Sequence, residues 1–180
     1  MEENHMKLSA ILIALAIAAP LAHAGDGRLD VYGELVTSAC GLDPNSQRLE
    51  VGLGLVSSQR FKKIGDRSQA VPFDIRLTEC SIDTMTTVAV RFTGPQDNEN
   101  RQLMAITGSA AGIGIRLQSP SGTDIALGEY SPLVGLTNGS NSLRFNAMYE
   151  STRAAAAPGQ PGGILPGSAN GLAQFDLRYM

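Results

Sequence analysis

Gly167-Ser-Ala-Asn-Gly-Leu-Ala-Gln-Phe-Asp-Leu-Arg-Tyr-Met180 closes the chain. Within it Ala173, Phe175, Leu177 and Tyr179 alternate with Gln174, Asp176, Arg178 and Met180. That is the period of a half-buried β-strand. A strand has two edges that need hydrogen bonds, and no residue follows to pair the second. The expectation is that a different polypeptide pairs it, and that this pairing is the chain's function.

The segments before it also read as short strands between turns. Arg48 to Leu55 alternates Leu49, Val51, Leu53 and Leu55 against Glu50, Gly52 and Gly54. Ser57 to Arg67 is polar with room for one helical turn. Ala70 to Cys80 carries Val71, Phe73, Ile75 and Leu77 at every second position, and Thr86 to Thr93 carries Val88, Val90 and Phe92. Gly112 to Gln118 and Asp124 to Leu127 flank the turn Ser119-Pro-Ser-Gly122. Asn138-Gly139 is a turn signal before Leu143, Phe145, Ala147 and Tyr149. Arg153 to Gly167 is a loop rich in Ala, Pro and Gly. No sustained helical period appears, and strands at this spacing predict an all-β sandwich. Nearer the start, Leu29, Val31, Gly33 and Leu35 share one face against Arg28, Asp30, Tyr32 and Glu34. That segment is read either as an ordinary first strand or, because of Gly33, as one built for close approach to another backbone.

Residues 1–24 are read as a signal peptide. Lys7 precedes the apolar run Leu8 to Ala19, then Pro20 and the cleavage pattern Ala22-His23-Ala24. The run is too short for a membrane-spanning helix. Met6 is an alternative start. Losing Glu2, Glu3 and Lys7 takes the net charge from −3 to −2, with no basic footprint for nucleic acid. His5 and His23 leave with the leader, and the chain has no Trp. Histidine acid–base catalysis, the Ser-His-Asp triad and most zinc sites are thereby excluded, and no catalytic, cofactor or metal residue is assigned. Cys40 and Cys80 remain. An oxidising compartment favours one disulfide over two free thiols or half a metal site.

These residues resemble the pilins, the fimbrial subunits of the bacterial chaperone–usher pathway. The likeness is carried by the leader followed by Leu29-Asp-Val-Tyr-Gly-Glu-Leu-Val36, and by two cysteines forty residues apart. The second closes Val71-Pro-Phe-Asp-Ile-Arg-Leu-Thr-Glu-Cys80. Ala105 to Leu117 and Leu136 to Leu143 are similar to later pilin strands and turns. Gly167 stands fourteenth from the end and Tyr179 is penultimate. The resemblance implies an incomplete immunoglobulin-like sandwich that lacks its seventh strand, carries one disulfide and is completed by a donor strand. It divides the chain into a signal peptide (1–24), a donor-strand extension (25–38) and a pilin domain (39–180). Leu29, Val31, Gly33 and Leu35 are then the donor residues. Gly167, Phe175, Leu177 and Tyr179 belong to the acceptor groove and its chaperone pairing. The implied partners are a periplasmic pilus chaperone, which holds the C-terminal carboxylate with basic residues, an outer-membrane usher and neighbouring subunits. The implied destination is the cell-surface fimbrium, where subunits support adhesion.

Two departures bear on position. Only eight residues separate the predicted cleavage site from Gly33, which resembles minor tip or adaptor subunits more than shaft pilins. Met180 stands where a polar terminal residue is more usual.

Two other readings use different features. A self-contained secreted β-sandwich could bind a glycan or small ligand, but the mature chain offers few aromatics. An enzyme built on carboxylates among Asp74, Asp83, Glu99 and Asp124 needs no histidine, yet no spacing singles out a pair. Gly108-Ser-Ala-Ala-Gly-Ile-Gly114 lacks the Gly-Lys-Ser/Thr end of a phosphate loop, and Asn138-Gly-Ser140 reads as a turn.

Overall fold

The alternating segments become two antiparallel sheets in the computed structural model, which describes residues 29–33, 38–155 and 163–180. The eight strands in chain order are β1 (Gly41–Leu42), β2 (Val71–Cys80), β3 (Thr87–Thr93), β4 (Ile113–Gln118), β5 (Asp124–Ile125), β6 (Val134–Gly135), β7 (Gly139–Ser151) and β8 (Gln174–Tyr179). One sheet has the order β1-β2-β7-β4-β5 and the other β6-β3-β8. Two single 3-10 turns, Pro44–Ser46 and Ser58–Arg60, are the helical elements among the described residues.

The longest pairing is β2 with β7, where Phe73 lies opposite Phe145 and Ile75 opposite Leu143. These side chains meet Val88, Val90 and Phe92 of β3 between the sheets, and Ile75, Leu77, Val88, Val90, Leu143 and Phe145 are almost wholly buried. The Phe92 ring stands edge-on to Phe145 with centroids 5.2 Å apart, the arrangement aromatic quadrupoles favour. A β-bulge interrupts β2 between Leu77 and Cys80. At the bulge Glu79 adopts φ 53°, a left-handed conformation uncommon for a residue with a side chain. Just beyond it, Cys80 forms a disulfide with Cys40.

The outer face of the larger sheet holds a buried ion cluster. Arg116 makes a two-pronged pair with Glu150 at 2.7 and 2.9 Å, and both side chains are nearly inaccessible to solvent. Arg67 donates to Glu150 at 2.7 Å and reaches Asp124 at 2.6 and 3.0 Å. Gln118 completes the cluster by donating to Asp124. Beside it, Gly114 lets Leu103 lie flat on β4, since a β-carbon there would strike Leu103.

The chain divides into two units, residues 1–36 and 37–180. Of the first, residues 29–33 are described; they form no regular strand, and Leu29 and Val31 are exposed. The expected signal peptide (1–24), Leu35 and residues 156–162 lie outside the described residues. No described helix is long and apolar enough to cross a membrane.

Some expected strands take a different form. Arg48 to Leu55 is read from its alternation as a strand, yet no described strand pairs with it. Residues 167–172 are likewise outside β8, although Asn170 bridges Thr107. The described residues 29–33 show none of the strand character their alternation suggests, because alternation records which residues can share a face and says nothing of whether a neighbour is present.

Candidate functional site

Among the described residues, the last strand is paired on one side only. β8 runs against β3, with Phe92 opposite Phe175, Val90 opposite Leu177 and Val88 opposite Tyr179. Thr87 and Met180 exchange two backbone hydrogen bonds, each 2.9 Å. Hydrogen-bonded pairs alternate along an antiparallel ladder. The backbone groups of Arg178, Asp176 and Gln174 therefore point to β3, while those of Phe175, Leu177 and Tyr179 point the other way. Among the described residues, no strand receives them.

The side chains of β8 alternate in the opposite sense. Phe175, Leu177 and Tyr179 are half-buried and pack on the core. The outward residues are held across the sheet surface. Asp176 pairs with Arg91 at 3.2 Å, and the Arg178 guanidinium stacks 3.7 Å over the Tyr130 ring. The strand is thus fixed on one edge and both faces, with its remaining edge unpaired by any described strand. Its end is also anchored, because the Met180 oxygen accepts from the Thr86 and Thr87 amides and the Thr87 hydroxyl. The Tyr179 hydroxyl is buried with no hydrogen bond of good geometry. Burial pushes its pKa up, against the opposing effect of nearby Ser38, whose own proton goes to the Cys40 carbonyl.

Facing that edge is segment 49–56, which has no regular secondary structure and forms the second wall of a groove. Its residues share no backbone hydrogen bond with any described strand. Val51 and Leu53 turn toward the core, while Gly52 and Gly54 are exposed. Between the walls lies a hollow of about 380 Å³ floored by Phe73, Phe92, Ile115, Leu117 and Ala147. A second hollow of about 280 Å³ continues past it, lined by Phe61, Ile113, Leu165 and Gly167 among others. The arrangement is an apolar trough with unpaired backbone along both rims. Chemically it can bury a row of alternating apolar side chains while its rims form ladder bonds to their backbone. It offers no constellation for bond-making chemistry, and no cluster of metal-ligating side chains occurs among the described residues.

The residues singled out in the sequence are distributed as follows. Phe175, with Ala173, lines one wall of the first hollow, while Leu177 and Tyr179 continue along β8 beyond both hollows. Gly167 lines the second hollow, in a loop where a β-carbon would collide with Ser109 and Ala110. Cys40 and Cys80 form the disulfide and line neither hollow. Leu29, Val31 and Gly33 belong to the other unit of the chain, and Leu35 lies outside the described residues. Sequence reasoning missed the facing wall, Val51 and Leu53, as part of the site. Its signal is visible in retrospect: glycines at alternate positions weaken a ladder strand, yet suit a backbone that another chain approaches.

Comparison with known proteins gives a consistent result. The family model described as "Fimbrial protein" matches residues 29–180. The chain is 35% identical to the "Probable major fimbrial subunit LpfA" of Escherichia coli O157:H7, covering 99% of both chains. It is 33% identical to the "Type-1 fimbrial protein, A chain" of Salmonella typhi, covering 98% of this chain and 99% of that one. Among solved structures, a chaperone–usher pilus described for its rod uncoiling superposes with TM-score 0.67 over 90% of this chain and all of the other, at 23% identity. The type I fimbria protein BPSL1626 of Burkholderia pseudomallei gives TM-score 0.59 at 28% identity, over 80% of this chain and 91% of that one. With its immunoglobulin-like pair of sheets and single disulfide, the chain belongs to the fimbrial protein family, as an exported, non-enzymatic structural subunit of surface fimbriae.

Proposed function

We propose that the trough beside β8 accepts a strand from another polypeptide, and that Leu29 to Leu35 of each subunit fills the trough of the next. The observation that supports this is the open edge itself: Phe175, Leu177 and Tyr179 turn their backbone groups away from β3, and Phe175 borders an apolar hollow. An exposed strand edge above apolar side chains is an aggregation hazard unless covered. An inserted strand covers it by adding ladder bonds worth about 1 kcal/mol net each. Each buried aliphatic side chain adds about 1.5–3 kcal/mol. Leu29, Val31 and Leu35 supply such side chains at the spacing of a strand face. In this reading a periplasmic chaperone occupies the trough during export, and the outer-membrane usher is where the neighbouring subunit replaces it.

The place in the filament has two supports pointing apart. The short extension before Gly33 favours a tip or adaptor subunit. The full-length match to a relative described as a probable major subunit favours the shaft. Immunogold labelling of fimbriae separates them: label along the length means shaft, label at the end means tip. Adhesion would follow from membership in the filament in either position.

The strand-insertion reading is tested by melting the exported chain with a peptide copying residues 29–37, with the same peptide carrying Gly33→Leu, and alone. The native copy is expected to raise the melting temperature by more than 10 °C, since several kcal/mol of binding shifts a domain of this size by about 2–4 °C per kcal/mol. The Gly33→Leu copy is expected to raise it little. Equal melting in all three samples would refute the reading.

A further inference from the structure

The two hollows of the trough share four residues: Gly54 on one wall, Ala169 and Asn170 on the other, and Tyr149 on the floor. Tyr149 is the one large side chain among the four, and it stands where the hollows meet. Its backbone is fixed, since its amide donates to the Ser68 hydroxyl and its carbonyl accepts from the Ser68 amide. Its hydroxyl crosses from β7, in the larger sheet, to donate to the Ala169 carbonyl at 2.6 Å. Ala169 lies at the approach to β8, next to Asn170, which exchanges backbone hydrogen bonds with Thr107. A phenol from one sheet therefore ties down the wall that leads into the other.

We infer that Tyr149 is a positioning residue for the incoming strand, a raised sill that separates two side-chain hollows and sets which donor residue lies at each. This rests on the strand-insertion reading. Side chains on one face of a strand recur at roughly 6.5–7 Å, so a strand that fills both hollows with alternate inward residues must lay the inward residue between them on the sill. Of Leu29, Val31, Gly33 and Leu35, only Gly33 has no side chain to collide with a ring standing in the floor. Gly33 lies over Tyr149, with Val31 and Leu35 on either side. The tie to Ala169 keeps the ring upright, and burial raises the phenol's pKa, so it remains a donor throughout the neutral range.

Affinities of the full exported chain and two variants for two peptides test this. The peptides copy residues 29–37, one native and one with Gly33→Ala. The wild-type chain is expected to favour the native copy by about tenfold, the scale of an overpacked methyl. Tyr149→Val removes the sill and is expected to bind both copies within about twofold. Tyr149→Phe keeps the ring and the fold but loses the tie; it is expected to retain the preference for glycine while binding the native copy about fivefold more weakly. A merely structural role for Tyr149 would weaken both peptides alike and leave the preference untouched. The proposal is overturned if Tyr149→Val discriminates as strongly as wild type. It is also overturned if Tyr149→Phe binds the native copy as well as wild type does. If the wild-type chain takes up neither peptide, the strand-insertion reading falls first and this one with it.

Discussion

Asp124 shows how a single carboxylate is tuned on this surface. Burial works against its charge, but hydrogen bonds from Arg67 and Gln118 and the nearby Arg116 more than offset that, and its pKa is lowered. Glu99 is lowered by its bond to Arg153, and Asp66 by the Lys63 and Lys62 amides. A carboxylate whose folded pKa is depressed contributes stability above its unfolded pKa and loses it as pH falls through the folded value. The folded domain should therefore melt at a steady temperature down to about pH 5, then fall away below about pH 4, the ordinary carboxylate range. Asp124→Asn should lower the melting temperature at pH 7 and flatten the acid limb, because its titration is removed. Melting curves across pH 3 to 7 on both chains, each loaded with the same peptide, check this. An unchanged acid limb in the variant would show that Asp124 takes no part in it.

Among the elements, β8 and the segment 49–56 carry the argument. The alternation of β8 supplies an exchange experiment, since the amides of Asp176, Arg178 and Met180 face β3 while those of Phe175, Leu177 and Tyr179 face the open edge. In the lone chain the first set should exchange with solvent slowly and the second fast. On peptide loading the second set should become protected. Uniform protection along β8 before loading would mean the edge is already paired. The strands of the core were legible because apolar residues at every second position, as in Val71 to Leu77 or Leu143 to Ala147, both define a buried face and find a partner. β1 and β6, two residues each, carry too short a pattern to read. Segment 49–56 has the pattern without the ladder. The same alternation that builds a strand elsewhere here presents Val51 and Leu53 to a trough. Tyr149 was read only as a core-facing residue of its strand, because a hydroxyl reaching a carbonyl twenty residues away leaves no trace in local periodicity.

For the whole molecule, the disulfide and the open trough balance one another. Cys40 and Cys80 close a loop of forty residues, which on the chain-entropy account stabilises the fold by about 4 kcal/mol. The facing wall, 49–56, lies inside that loop, so the cross-link limits how far an unpaired segment can wander from the core. Replacing both cysteines by alanine should cost about 4 kcal/mol in denaturant unfolding of the peptide-loaded chain. It should cost more in yield of the unloaded chain, where nothing else restrains the wall. Equal unfolding midpoints with and without the disulfide would remove its place in this account.

The outward backbone groups of β8 have a mechanical consequence. A strand laid along that edge is held by bonds perpendicular to its length, so tension applied along the strand loads them together instead of peeling them one after another. A thread of such joints resists a steady pull far better than its individual bonds suggest, and yields first where the load can be turned sideways.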